Sequence, residues 1–291
     1  MKQSKWLFLF LVPGLIFYLT FFIYPTFSAL FYSFTDWDGL SPSFNFVGFE
    51  NYQNIITNDS IFVKALTNNV KFMLFVVFFQ TVLSLLFAIY LVRNTKVNVF
   101  LRALYFFPTI LSSVSVAFIW SFVYDPNLGL LNTILREINL DSLALNWLGD
   151  ADIAIFSIAV VQVWFHTGQM LIVFVAGLQA IPDDLYEVAK IEGANRWQVF
   201  RKITWPLLAP SATIVIAYTT IQSFKAFDLI YSMTRGGPNY ATEILATLIY
   251  STAFRSFKFG YASAESIIFM IVIALITFLQ FRVLRANRVE Y

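Results

Sequence analysis

The chain has 291 residues, of which 59% are hydrophobic, 19% aromatic and only 12% charged. Because a soluble domain usually carries about 25% charged residues, the composition predicts an integral membrane protein whose surface is largely covered by lipid. The net charge of +2 is too small to indicate a nucleic-acid-binding surface. The chain has no cysteine, which excludes disulfides and cysteine nucleophiles, and it has only one histidine, which excludes a multi-histidine metal site. We therefore expect no catalytic residues and no metal or cofactor bound by this chain.

Six stretches are long and apolar enough to cross a bilayer, which takes about 20 helical residues at ~1.5 Å each. In chain order they are Trp6–Phe34, Val70–Val92, Phe100–Tyr124, Ile153–Ala180, Pro206–Met233 and Tyr261–Leu284. Pro13 and Pro25 lie inside the first stretch and predict kinks in it. The sequence thus predicts an all-α membrane protein with six transmembrane helices.

Positive charge predicts the orientation of these helices. Most of the 19 Lys and Arg residues fall on the side that carries the two chain ends. The positive-inside rule therefore places both termini in the cytoplasm. Three outer segments follow, at about 35–69, 125–152 and 234–260, and they contain turn sequences such as Asp38-Gly39 and Gly236-Gly237-Pro238.

The loop between the fourth and fifth spans, residues 181–206, has the pattern of two short helices. Pro182-Asp183-Asp184 predicts the start of the first helix, and Gly193 predicts its end. Asn195 can cap the second helix. Apolar residues of the first helix fall close to one stripe: Leu185, Val188, Ala189 and Ile191. A helix lying on lipid headgroups is one interpretation, but the zero net charge of the loop favours docking onto another protein.

This loop resembles the EAA motif of binding-protein-dependent ABC importer permeases, in which Glu-Ala-Ala precedes a glycine and an Ile-x-Leu-Pro sequence. It reads Glu187-Val188-Ala189, then Gly193, then Ile203-Thr204-Trp205-Pro206, with the glycine, isoleucine and proline at the family spacing. Val188 and Trp205 replace the usual alanine and leucine, which bears on how the helix packs against a partner. The resemblance implies a type I ABC importer permease fold.

The same resemblance implies how the loop works. In such permeases the loop docks onto a cytoplasmic nucleotide-binding subunit, and Glu187, Ala189, Gly193 and Arg196 would couple that subunit to the membrane helices. The chain itself has no Gly-x4-Gly-Lys phosphate loop. ATP and Mg would therefore be used by the partner subunit.

Two further stretches resemble the sugar-type permeases of the maltose and glycerol-phosphate group. One is Ser33–Asp38 with Phe46–Tyr52, and the other is Thr234–Thr242 with Tyr250–Phe254. The resemblance implies import of a sugar or oligosaccharide across the cell membrane of a bacterium or archaeon. The implied partners are a second homologous permease, two ATPase subunits and an extracytoplasmic sugar-binding protein, which would contact the loop at Gly236, Gly237 and Pro238.

Polar residues inside the spans mark a candidate substrate path, because lipid-facing polar groups are costly. The residues that mark this path are Gln162, Trp164, His166 and Gln169 in the fourth span and Gln222, Ser223, Lys225 and Asp228 in the fifth. Position in the maltose-type relatives supports Gln162, His166 and Ser223 and adds Phe165 and Ala226, although alanine offers no hydrogen bond to a sugar. Alternatively, Lys225 and Asp228 pair on one helix face, and His166 is a packed, hydrogen-bonded residue.

We expect three regions. Residues 1–66 form the first helix and first outer segment, 67–284 form a five-helix core with the coupling loop at 181–206, and 285–291 form a cytoplasmic tail. The alternative function is a secondary transporter or channel without an ATPase partner. That class is expected to show inverted repeats or a chain of intramembrane carboxylates, and only Asp228 and Glu265 approach this description.

Overall fold

The computed structural model describes residues 6–285, and most of this range is helical. Five helices are long and apolar enough to cross a membrane, and a bent pair, Lys96–Ile110 with Ser113–Val123, makes a sixth if it is counted as one span. The predicted all-α architecture is therefore confirmed over the described range. Of the tail predicted at 285–291, only Arg285 lies within that range.

Two compact units make up the chain. Within the described residues, the first is 6–63 with 248–272, and the second is 64–247 with 273–285. The boundary between the units at Val63 and Lys64 lies close to the boundary predicted at residue 66. The structure differs from the expected five-helix core in that residues 248–272 group with the first unit.

The first span contains a local widening of its helix. It consists of α1 (Trp6–Tyr18), a π-helical stretch at Leu19–Ile23 and α2 (Tyr24–Tyr32). The backbone N–H of Tyr24 donates to the carbonyl of Leu19, five residues earlier. Pro25 follows directly and cannot donate a backbone hydrogen bond, so the irregularity lies where the ladder is already interrupted.

The first outer segment folds back on the end of α2. A single antiparallel bridge within the described range joins Thr35 to Phe46, and α3 (Glu50–Thr57) follows. The buried amide of Asn51 donates to the carbonyls of Ser33 and Thr35, both at 2.9 Å. These bonds fix the turn against α3, because a buried carbonyl without a donor is costly.

The second unit contains most of α4 (Ser60–Leu91) and a series of helices packed around α8, the most buried candidate span. The helices after α4 are α5 (Lys96–Phe106), α6 (Ser113–Val123), α7 (Leu130–Glu137), α8 (Ala154–Gln179), α9 (Asp183–Ile191), α10 (Arg196–Val199), α11 (Trp205–Phe224) and α12 (Phe227–Thr234). The last helices, α13 (Leu245–Tyr250) and α14 (Phe259–Arg285), are divided between the two units.

Two predicted continuous spans are broken, and those predictions were wrong. The third, predicted as Phe100–Tyr124, bends by 97° where Leu111 and Ser112 separate a short 3-10 turn from α6. The fifth, predicted as Pro206–Met233, is interrupted at Lys225 and Ala226, between α11 and α12. Both breaks line the cleft described below. Non-helical backbone is tolerated at membrane depth where it faces a cavity rather than lipid.

Candidate functional site

The coupling loop begins as its sequence predicts. Helix α9 starts after Pro182, with Asp183 and Asp184 in its first turn and Lys190 in its last. These charges are placed favourably for the helix dipole, which is positive at the start and negative at the end. The predicted helix start is therefore confirmed.

A glycine turn and a capping box separate α9 from α10. Gly193 has φ +76°, in the left-handed region that glycine adopts without strain. The side chain of Asn195 accepts from the backbone N–H of Gln198 at 2.9 Å, and the Gln198 side chain accepts from the Asn195 N–H at 2.8 Å. The predicted helix–turn–helix is confirmed, with one difference. A π-helical stretch at Phe200–Thr204 joins α10 to α11, so the second helix continues into the membrane.

The coupling loop leaves apolar side chains uncovered. Of the predicted coupling residues, Ala189 is buried, whereas Glu187, Gly193 and Arg196 are exposed. Ile191 is 85% exposed. It belongs to a set of exposed apolar residues that we call the apolar face: Leu185, Val188, Ile191 and Trp197. A soluble loop rarely holds so many large apolar groups in water without a covering partner.

A second feature of the unit is a cleft of about 460 Å³, which we call the central cleft. Helix α8, the break in the third span, the end of α11 and the start of α12 form its walls. Its lining residues are Thr109, Leu111, Ser113, Gln162, Phe165, His166, Tyr218, Ile221, Gln222, Lys225, Ala226, Asp228 and Leu229. Amides, hydroxyls, one imidazole and two charges therefore meet in one apolar-walled space.

Close helix packing positions the α8 wall of the central cleft. Gln162 and His166 are one helical turn apart on α8 and so share a face. The Thr109 hydroxyl donates to the Phe165 carbonyl at 2.9 Å, which ties the broken span to α8. Gly168 allows this approach, because a Cβ there would overlap the carbonyl oxygen of Tyr105.

The structure brings most of the predicted substrate-path residues together. The predicted residues that line the central cleft are Gln162, Phe165, His166, Gln222, Lys225, Ala226 and Asp228. Three others do not line it. Trp164 is 42% exposed. Gln169 donates to the Tyr218 hydroxyl at 3.3 Å, and the buried Ser223 hydroxyl donates to the Thr219 carbonyl of its own helix at 2.7 Å.

The alternative in which Lys225 and Asp228 pair on one helix face does not fit the structure. Lys225 ends α11 and Asp228 lies in the first turn of α12, with the non-helical Ala226 between them. The helical i, i+3 geometry that brings such pairs together does not extend across the break. Both charges are exposed at the central cleft.

Three polar lining residues were not predicted from the sequence: Thr109, Ser113 and Tyr218. The signal for the first two was available. Pro108 precedes Thr109, and Ser112-Ser113 follows closely, which is punctuation typical of a broken helix. Tyr218 lies one turn before Gln222 on α11, and its position becomes informative only once the cleft-facing side of α11 is known.

The predicted binding-protein loop is held against the start of α4. Gly236 has φ +86°, and a Cβ there would overlap the Glu243 carboxylate. Asn68 donates from α4 to the carbonyls of Tyr240 and Glu243, at 3.0 and 2.9 Å. Nearby, Gly237-Pro238 is a cis peptide. Tyr240 at the tip is 45% exposed, so a fixed loop presents an accessible surface.

Comparison with known proteins identifies the family. The sequence pattern of the binding-protein-dependent transport system inner membrane component matches residues 80–289, more than half of the chain. The chain belongs to this family. It is therefore a membrane-embedded permease component of an ABC importer, and the family membership decides against the secondary-transporter alternative.

Curated relatives of this permease match over nearly their whole length. A probable ABC transporter permease of Bacillus subtilis is 34% identical, covering 97% of this chain and 97% of the relative. The multiple sugar-binding transport system permease of Streptococcus mutans is 35% identical, covering 96% and 95% of the two chains. The alignments thus cover nearly the whole length of both relatives.

A solved structure shares the fold of the permease. A chain of a bacterial alginate ABC transporter, in complex with an alginate pentasaccharide-bound periplasmic protein, superimposes with a TM-score of 0.85 at 21% identity. The alignment covers 100% of this permease and 98% of that chain. The importer permease fold implied by the EAA motif is thereby confirmed.

Proposed function

We propose that this permease is the translocation subunit of an importer that moves a sugar or oligosaccharide, delivered by an extracytoplasmic binding protein, through the central cleft. The observation that carries the proposal is the uncovered apolar face of the coupling loop. Covering such a surface stabilises a complex, since burial of apolar groups is favourable and the loop has no net charge to repel a partner.

The partner at the apolar face is a cytoplasmic ATPase subunit that uses ATP and Mg. Two such subunits and a second homologous permease complete the transporter. A continuous helical path, Arg196–Phe224, runs from the coupling loop to the central cleft. Movement of the loop is therefore transmitted to Tyr218 and Gln222 by one helical element rather than by a flexible linker.

The chemistry of the central cleft supports a sugar substrate. Sugars present hydroxyl groups and apolar C–H faces, which match amides, hydroxyls and aromatic rings. Gln162 offers an amide and is only 3% exposed, and Phe165 provides an aromatic surface beside it. Relatives named for sugar transport support the same class. We infer that both termini lie in the cytoplasm and that the permease is in the cell membrane of a bacterium or archaeon.

Coupling is tested by reversing a charge beside the apolar face. The permease is expressed with its ATPase, second permease and binding protein, and ATPase stimulation by the liganded binding protein is measured. We expect Glu187→Arg to abolish stimulation and uptake while the chain still reaches the membrane. Glu137→Arg, an exposed acid at the end of α7, is the matched control and should leave both unchanged. Normal uptake with Glu187→Arg would refute the coupling assignment.

A further inference from the structure

A second cleft lies beside the coupling loop, where several spans end. Its volume is about 480 Å³, and we call it the basic cleft. Its walls come from the last turns of α4 and α8 and from the segment that connects α10 to α11. Apolar groups dominate these walls, among them Ile89, Val92, Leu178 and Phe200.

The charged residues that line the basic cleft are both arginines. Arg93 follows α4 and Arg196 opens α10, and both are exposed. No carboxylate of the described residues lines this cleft. Asp183 lines a neighbouring cleft that shares Arg93. An apolar cavity with positive charge at its edge is complementary to an amphiphile that has an anionic head.

Both arginines project from fixed backbone. The Arg102 guanidinium donates to the carbonyl of Arg93 at 2.7 Å and to those of Leu91 and Val92 at 2.8 and 3.0 Å. It thereby caps the end of α4. The capping box of Asn195 and Gln198 fixes the backbone on either side of Arg196. Two cations are thus presented without the entropy cost of ordering a mobile loop.

The position of the basic cleft in the fold identifies the amphiphile. The candidate spans Ser60–Leu91 and Ala154–Gln179 end at this cleft, and Arg196–Phe224 begins there. The ends of membrane-spanning helices lie at the level of lipid headgroups. A free phosphate ion would match the arginines but leave the apolar walls uncovered, whereas a phospholipid matches both.

We propose that the basic cleft binds an anionic phospholipid, with its phosphate between Arg93 and Arg196 and an acyl chain along Ile89 and Phe200. The bound lipid links the end of α4 to the first turn of α10. It therefore stabilises one position of the coupling loop relative to the membrane. Transport through the permease becomes sensitive to the anionic lipid content of the surrounding leaflet.

The test uses the full-length chain purified in a neutral detergent. Dioleoylphosphatidylglycerol or dioleoylphosphatidylcholine is titrated in, and the thermal unfolding midpoint is followed. We expect the anionic lipid alone to raise the midpoint. Its half-saturating concentration should rise about fivefold in Arg93→Gln or Arg196→Gln and on the order of 30-fold in the double variant, since each cation near a membrane surface contributes about that factor.

Two variants distinguish a specific lipid site from a general effect of positive charge on lipid binding. Arg93→Lys keeps the cation and should retain most of the anionic-lipid effect. Arg201→Gln removes an exposed arginine that is not part of the basic cleft and should leave the titration unchanged. The unfolding midpoint does not depend on ATP hydrolysis, so the result is independent of the proposed coupling.

Three outcomes would overturn the proposal. The first is an equal effect of the two lipids on the wild-type chain. The second is an equal shift produced by inorganic phosphate alone, which would mean a simple anion site. The third is capture of a polypeptide rather than lipid by a photoreactive side chain placed at Ile89 in the assembled transporter, which would mean that a partner subunit fills the cleft.

Discussion

Glycine at position 168 determines how closely α5 and α8 pack. A Cβ there would overlap the backbone carbonyl of Tyr105, and backbone cannot move aside as a flexible side chain can. Small residues at such crossings allow membrane helices to approach closely. The contact also carries function, because the Thr109 bond to α8 lies next to it and forms part of the central cleft.

We expect Gly168→Ala to lower the unfolding midpoint of the purified chain. Overpacking of a tight contact typically costs about 1–3 kcal/mol. Gly14→Ala is the control, since no heavy atom lies within 4 Å of its added Cβ and alanine favours helix. An unchanged midpoint for Gly168→Ala would contradict the close approach of the two helices.

Asp38 organises the turn of the first outer segment. Its carboxylate accepts from the Ser41 hydroxyl at 2.6 Å and from the N–H groups of Ser41 and Leu40 at 2.7 and 2.9 Å. These donors, the Ser41 hydroxyl first, lower the pKa of Asp38 from 3.8 to about 2. A lowered pKa means that the folded turn favours the ionised form.

The stabilising effect of Asp38 should therefore be fully present above pH 3.8 and lost as the pH falls through about 2. The measurement is hydrogen exchange at the Leu40 and Ser41 amides, expressed as protection relative to the unfolded rate at each pH. Asp38→Asn lacks the ionisable group and should give the same low protection at every pH. Protection that does not change between pH 5 and pH 2 in the wild-type chain would argue against this role.

At the scale of elements, the coupling loop depends on a turn that glycine makes without strain. Gly193 has φ +76°, and nothing lies within 4 Å of an added Cβ. Substitutions there act through backbone conformation rather than through a clash. A β-branched residue is poorly tolerated in the left-handed region, whereas asparagine visits it readily.

We expect Gly193→Val to reduce ATPase stimulation in the assembled transporter, because the strain of about 1–2 kcal/mol displaces α9 from α10. Gly193→Asn should retain most of the stimulation, because asparagine adopts the left-handed conformation more readily than valine. Equal activity of the two variants would show that the turn geometry is unimportant for coupling. Membrane insertion of both, measured by immunoblot of the membrane fraction, excludes a folding defect.

The coupling loop was predictable from sequence because its signals are local. Acidic residues at the start of α9, Gly193 and Asn195 each determine conformation through atoms a few residues away. The breaks at Leu111 and at Ala226 were not predicted. Hydropathy is continuous through both. Pro108 and Ser112-Ser113 are a local signal for the first break, whereas the second has no such signal in the sequence and becomes evident only in the packed helices.

The difference between local sequence signals and helix packing also explains which residues of the central cleft were predicted. Gln162 and His166 stand out as polar groups in an apolar span and were predicted. Ser223 was predicted on the same grounds but bonds to its own helix, as a serine can wherever an i−4 carbonyl is available. Composition therefore identified the polar residues, and only the packing shows which of them share a cavity.

At the scale of the whole molecule, hydropathy predicts the number of spans, and the match over residues 80–289 identifies the family. The grouping of residues 248–272 with the first unit was not foreseen, because it depends on contacts between segments far apart in the chain. The orientation of the permease in the membrane remains a prediction from charge.

Single cysteines test that orientation directly, because the native chain has none. Ile191, in the coupling loop, is 85% exposed, and Tyr240, in the loop after α12, is 45% exposed. The permease is expressed without its ATPase subunits, which would cover Ile191 in the assembled transporter. In intact cells a membrane-impermeant maleimide should label Tyr240→Cys and not Ile191→Cys. Permeabilised cells should give labelling of both. The opposite pattern would reverse the predicted topology.

The π-helical stretch at Phe200–Thr204 has a consequence for chain length. Each residue of an α-helix advances by roughly 100° around the axis. A π turn holds one more residue than an α turn. Removing one residue from Phe200–Thr204 would therefore let this stretch close as an α turn and keep Trp197 near its present azimuth relative to Gln222. Removing one residue from the α-helical part between Trp205 and Gln222 would instead rotate Trp197 by about 100°, and the loop would point the wrong way although the chemistry of both ends is untouched. The orientation of the coupling loop is thus sensitive to the number of residues in α11 and tolerant of a deletion within the π stretch.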